Sequence, residues 1–255
     1  MKKLVIISLI TLTALISMYS QTFRGRTQTS YSNAPLELVH EIASGYRTIT
    51  YSEPGPRRDR NSSGTRKVTV NMQERVEALT EIGIRKDAKS IPVVCSAVTD
   101  GLSTRYSRTG LPGNRENLPP QLMIQVRLAA LKTLMNFATP AEEAQKMQIK
   151  ETLKTSFFEE WDERVRATTC AAMVLHKSVF TDSEQDLLNA HFRREVMRII
   201  TANQFRLLSS MYNVTDAFSR KSGISFLDMV LISGIRGKYY HMAMRLKQKL
   251  TVYGK

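Results

Sequence analysis

The sequence predicts an all-α chain of stacked antiparallel helical hairpins, and three observations predict it. Helix start and stop signals recur from Asn33 to the C-terminal end. Between them apolar residues return at steps of one, three and four, as in Leu187, Leu188, Phe192, Val196, Ile199 and Ile200. No sustained alternation of apolar and polar residues interrupts the pattern; Ile49 and its neighbours read as extended only briefly.

The elements follow in order. Met1-Lys2-Lys3 is a short basic lead, and residues 4–18 carry no charge. A run of about fifteen such residues suits a signal peptide and is short for a membrane span. Ser20 places a cut, so 1–20 reads as a signal peptide, with an uncleaved anchor as the alternative. Residues 21–33 read as a flexible N-terminal segment and 34–255 as a single helical-repeat domain. No cysteine follows the apolar run, so the chain reads as exported, periplasmic or extracytoplasmic, and not as a lipoprotein.

Asn33-Ala34-Pro35 opens the first helix, expected to reach about Thr48. Residues 51–67, rich in Pro, Gly, Ser and Arg, read as a long loop. A second helix is expected from about Val68 to Ile84. Asp87 caps the next, which Gly101 stops. A second long loop is expected over residues 102–119, then a helix from Pro120 to Phe137. Thr139-Pro140-Ala141-Glu142 and Thr181-Asp182-Ser183-Glu184 both read as capping boxes. Between them a helix is expected from about Trp161 to Lys177. From Gln204 to Tyr253 three shorter helices are expected, broken near Ser222-Gly223 and at 234–237.

Composition bounds the function. Hydrophobic content of 42% and charged content of 24% are those of a folded soluble domain. The net charge of +14 is uneven: residues 191–255 hold twelve Lys or Arg against three acids, while 131–190 hold seven against ten. A basic end of this kind meets an acidic protein, an anionic polymer or lipid head groups, or serves solubility alone. Cys95 and Cys170 both sit in apolar helical surroundings and read as two unpaired core thiols. His40, His176, His191 and His241 have no second ligand at metal spacing, and no phosphate loop, nucleophile elbow or dinucleotide fingerprint is present. The reading is a protein with no catalytic residues, no metal, no cofactor and no small-molecule substrate. Glu159, Glu160, Asp162 and Glu163 around the single Trp161 read as helix-start acids.

Three helices share a pattern: Glu74-Arg75-Val76-Glu77-Ala78-Leu79, Val126-Arg127-Leu128-Ala129-Ala130-Leu131 and Val165-Arg166-Ala167-Thr168-Thr169-Cys170. Here residues 68–178 resemble the HEAT repeat family, whose inner helix reads V-R-x-x-A-A-x-x-L. Glu74 replaces the expected valine and Thr169 the expected alanine. Arg75 and Arg127 are 52 residues apart, Arg127 and Arg166 39, and only the second lies near the usual period of about 40–47. The resemblance implies a right-handed α-solenoid with Arg75, Arg127 and Arg166 as structural residues, each paired with an acid of a neighbouring repeat. It also implies that the two long loops, at equivalent turns of the first two hairpins, project from one side. Arg57, Arg58, Arg60, Arg66 and Lys67 in one, with Arg105, Tyr106, Arg108 and Arg115 in the other, would then form a basic partner-binding edge. The function that follows is an exported adaptor or scaffold for another cell-envelope protein with an acidic surface. The alternative is a protein that binds an anionic polymer or lipid surface through its basic C-terminal half.

Overall fold

The computed structural model describes residues 30–54, 61–102, 120–233 and 237–252. The described chain is mostly helical. Its helices are α1 (Leu36–Ala43), α2 (Met72–Arg85), α3 (Ile91–Thr99), α4 (Pro120–Leu134), α5 (Glu143–Glu159), α6 (Glu163–Leu175), α7 (Asp182–Thr201), α8 (Phe205–Phe218), α9 (Arg220–Ile232) and α10 (Lys238–Val252). Among the described residues a single antiparallel pair, β1 (Tyr46–Pro54) and β2 (Asn61–Thr69), stands between α1 and α2. The proposed signal segment lies outside the described residues. No helix among the described residues is long and apolar enough to cross a membrane.

Local chemistry sets the helix boundaries. Asn71 accepts from the Glu74 amide while Glu74 accepts from the Asn71 amide, a capping box that starts α2. Asp87 caps the 3-10 turn Ala88–Ser90 that leads into α3. Asp162 starts α6 by accepting from the Arg164 and Val165 amides. Thr181 and Glu184 form the expected box at α7. The Thr139 box is not formed. Helix α5 begins at Glu143, and Glu142 at its cap makes no side-chain hydrogen bond. In the C-terminal region the first break falls at Ser219, and Gly223 lies inside α9. That glycine is needed for packing: a Cβ there would stand 2.8 Å from Asp216 Oδ1 and 3.0 Å from its Cα.

The β-hairpin corrects the loop assigned to residues 51–67 and the first helix extended to Thr48. Helix α1 stops at Ala43, and Gly45, at φ +96, turns the chain into β1. The register pairs Tyr46 with Thr69, Thr48 with Lys67 and Pro54 with Asn61. Thr, Tyr, Ile and Val dominate the paired positions nearest the helices, and such residues favour extended backbone. Glu41 of α1 holds the strand by accepting from both the amide and the hydroxyl of Thr48, each at 2.9 Å. The Val70 amide donates to Gly45 O at 3.2 Å and closes the base. The residues look loop-like because a hairpin standing off a helical body needs no apolar face.

The helices pack as hairpins in two rows. Helix α1 pairs with α2, α3 with α4, α5 with α6, and α7 with α8. Along one row α1 touches α3 and α3 packs on α5; along the other, α2 packs on α4, α4 on α6 and α6 on α8. Helix α9 packs on α7 and α8, and α10 packs on α9. One continuous apolar core runs between the rows from Val39 to Ala243.

Small residues let the second row close up. Ala78, Ala130 and Thr169, equivalent in the three arginine helices, are all fully buried. Thr169 uses its hydroxyl: it bonds the Ser156 hydroxyl of α5 at 2.8 Å and donates to Val165 O at 2.9 Å. Gly83 serves the same approach, since a Cβ there would meet Asn136 Nδ2 at 2.9 Å. Nearby the Thr133 hydroxyl donates across to Leu79 O at 2.7 Å. Ala130→Leu should therefore overpack the row and lower stability by about 1–3 kcal/mol, read by urea denaturation.

Cys95 and Cys170 are free and buried, as expected of core thiols. Burial raises their pKa values to about 11 and about 12. Asp216 of α8 is the less comfortable group. Its Oδ1 is buried with no hydrogen-bond partner, and burial raises its pKa despite Arg220 nearby. The folded state thus holds this proton more tightly than the unfolded chain. The associated stability is present below the ordinary value of 3.8 and is lost as pH rises through the raised folded value. Asp216→Asn should melt higher than the wild type at neutral pH, and the difference should shrink below pH 3.8.

Candidate functional site

The predicted binding edge is described only in part. Arg57, Arg58, Arg60, Arg105, Tyr106, Arg108 and Arg115 lie outside the described residues. Arg66 and Lys67 fall on β2, and both are exposed. Being adjacent on a strand, they face opposite sides of the hairpin. Lys67 Nζ sits 4.2 Å over the Tyr46 ring. On the other face Arg66 pairs with Ile49, and the exposed Arg47 pairs with Val68. Arg47 joins Arg66 there as a basic residue that the helix assignment had hidden. The alternation of Thr48, Ile49 and Thr50 was the available signal for it.

The three motif arginines occupy equivalent places. Arg75 and Arg166 are each the fourth residue of their helix and Arg127 is the eighth of α4, and all three are buried. Each also donates to a carbonyl near the end of the helix that pairs with its own. Arg75 Nε donates to Ala43 O of α1 at 3.2 Å. Arg127 Nη1 donates to Asp100 O, just past α3, at 3.1 Å. Arg166 Nε donates to Phe157 O of α5 at 3.2 Å. Carbonyls at a helix end have no intrahelical donor and carry partial negative charge, so a guanidinium is a suitable cap.

The same arginines then reach an acid of the next hairpin. Arg75 Nη2 meets Asp100 at 2.6 Å, and Arg127 Nε meets Glu160 at 2.7 Å. Arg166 Nη2 stands 3.7 Å from Glu195 of α7. Each rung therefore joins two hairpins, one through a carbonyl and the other through a carboxylate. The middle rung is the driest: Arg127 and Glu160 side chains are 1% and 0% exposed. Glu160 also accepts from the Trp161 and Asp162 amides through Oε1; it stands at the C-terminal cap of α5, and of the expected helix-start acids it is Asp162 that caps α6.

The histidines are placed by packing. His176 is buried, with Nε2 3.1 Å from Leu134 O, and burial lowers its pKa. His40 Nε2 lies 2.8 Å from Ser90 Oγ. Among the described residues no three His, Cys, Asp or Glu side chains gather as a metal would require. Comparison with protein-family models, with curated proteins and with solved structures finds no match to this chain.

Proposed function

We propose that the chain is an exported, non-catalytic adaptor or scaffold, built as a right-handed HEAT-like α-solenoid, that binds another cell-envelope protein. The observation that carries this reading is the β-hairpin. Two strands of nine residues stand off a helical body, and the described side chains from Thr65 to Thr69 are all exposed. An isolated two-stranded hairpin is marginal in water. One that also presents Arg47, Arg66 and Lys67 offers charge, and strand edges unpaired among the described residues, to an acidic partner. The recurring arginine rungs support the repeat reading, because each donates to a carbonyl near the end of the helix that pairs with its own.

Export rests on the uncharged run at residues 4–18. N-terminal sequencing of the native protein should begin at or near Gln21. Recovery of full-length protein from the soluble cytoplasm contradicts export.

The binding edge is tested by exchanging charges. Replacing Arg57, Arg58, Arg60, Arg105 and Arg108 by Ser should leave thermal stability nearly unchanged, since surface changes usually fall within about ±0.5 kcal/mol each. The same variant should lose an envelope partner recovered by pull-down. A second reading, binding of an anionic polymer or lipid surface, is favoured by one feature. Helix α10, packed on α9 at the end of the array, exposes Arg245 and Lys249. Replacing these two by Ser is the control. Partner loss in this variant, with the five-residue variant still binding, contradicts the hairpin edge and supports the basic end.

A further inference from the structure

The two edges of the β-hairpin are not alike. Gly45 O accepts from the Val70 amide at 3.2 Å, and in an antiparallel ladder the pairs that exchange bonds alternate with pairs that do not. Arg47 with Val68 and Ile49 with Arg66 are therefore the bonded pairs. Tyr46 with Thr69, Thr48 with Lys67 and Thr50 with Thr65 turn their amides outward. The Thr48 amide confirms this phase, since it donates to Glu41 of α1 at 2.9 Å and not to β2.

The β1 edge is closed. Glu41 occupies its base, α1 packs against it, and Pro54 at its far end has no amide proton to give. Tyr46 and Ile49 are half-buried there. The β2 edge has none of these devices. It contains no proline, and Thr65, Arg66, Lys67, Val68 and Thr69 are all exposed. Among the described residues no group accepts from the outward amides of Thr65, Lys67 and Thr69. The edge is also basic. Arg66 shares one face with Arg47 and has no acidic partner among the described residues, while Lys67 lies on the other face over Tyr46. The acid closest at hand is Glu41, whose carboxyl the Thr48 bonds, and more weakly the Lys67 charge, hold below its ordinary pKa.

An open row of strand amides is a template for another strand. We propose that the β2 edge takes up an extended acidic segment of the partner protein as a third strand, with two consecutive acids set against Arg66 and Lys67 and β-branched residues beside Val68 and the threonines. Consecutive acids fit because neighbours on a strand face opposite sides, as Arg66 and Lys67 do. Opposite charges across paired strands are stabilising. A second copy of this chain fits poorly. A symmetric pairing of two β2 edges brings Arg66 and Lys67 of both copies together, and like charges across strands are destabilising. The inference rests on the adaptor reading and gives the hairpin a mode of contact, in which main-chain bonds supply affinity and the acids supply specificity.

The full chain is titrated with fluorescein-labelled Thr-Val-Glu-Glu-Val-Thr-amide, and binding is read by anisotropy. The peptide reads alike in both directions, so it suits parallel or antiparallel addition. Binding should be saturable. Replacing both glutamates by glutamine should weaken it about two- to fivefold per charge. Thr65→Pro removes one outward amide of β2 and no charge, and should weaken binding about tenfold. Thr50→Pro makes the same change directly across on β1 and should leave binding as it was. Two N-methylated peptides, each blocked at alternate amides, need no change to the protein. Only one set of amides faces β2, so one form should bind about tenfold less well and the other like the parent. No binding at millimolar peptide, equal loss by the two proline variants with circular dichroism unchanged, or loss in neither methylated peptide overturns the inference. A dimer of the full chain that Thr65→Pro dissociates gives the edge to a second copy and overturns it too. Recovery of the envelope partner is read in a separate pull-down, so the adaptor reading can stand when strand addition fails.

Discussion

Arg127→Leu should cost about 3–5 kcal/mol, because it strands a carboxylate with no access to water. Arg127 and Glu160 are the driest ion pair among the described residues, at 1% and 0% side-chain exposure and 2.7 Å. Removing the guanidinium also leaves the Asp100 carbonyl without its donor. The loss belongs mainly to the charge and not to the missing volume, and a second substitution separates the two. Glu160→Gln placed in the Arg127→Leu background removes the stranded charge. It keeps the Oε1 acceptor for the Trp161 and Asp162 amides. The double variant should therefore be more stable than Arg127→Leu alone by urea denaturation. If the double variant is no better, the cost lies in packing, and the ion pair contributes little to the junction between the second and third hairpins.

Phe157→Ala should be comparably damaging, at about 3–5 kcal/mol. The ring is fully buried at the end of α5. It meets Phe192 of α7 at 4.9 Å and Phe158 at 5.5 Å, and it lies under the Arg166 guanidinium at 4.5 Å. Truncation opens a cavity among three helices and removes the surface on which Arg166 rests. Phe157→Leu should recover part of the stability by refilling volume, while leaving Arg166 without an aromatic face. A chevron or equilibrium series on the two variants checks this. Equal losses for Ala and Leu would mean that the ring contact dominates the volume.

The helical class was legible because its signals are local. Thr181 and Glu184 lie three residues apart and announce α7; Asp87 announces the turn before α3. The two buried thiols were legible from apolar neighbours alone. The acids that meet the motif arginines were less so. Glu160 was readable as one of a run of acids, but its partner Arg127 lies 33 residues earlier, and only tertiary packing brings them together. The hairpin was missed for a different reason. Its outer half, from Ser62 to Gly64, has loop composition, and cross-strand pairing over a described register of nine residues outweighs that local preference. The partner of Arg166 was not legible: Glu195 closes on Arg198 and stands 3.7 Å from Arg166, a competition among three helical side chains that spacing alone does not decide.

The scaffold reading, binding of a folded envelope partner through shape and a limited set of charges, is tested most directly by salt. The affinity of the recovered complex is measured at 50 and 200 mM salt. A protein–protein contact of this kind should weaken by less than about tenfold over that range, chiefly through slower association. A fall of about 10³–10⁵, as for a ligand held by many phosphate contacts, would contradict the scaffold account and assign the basic surface to a polyanion.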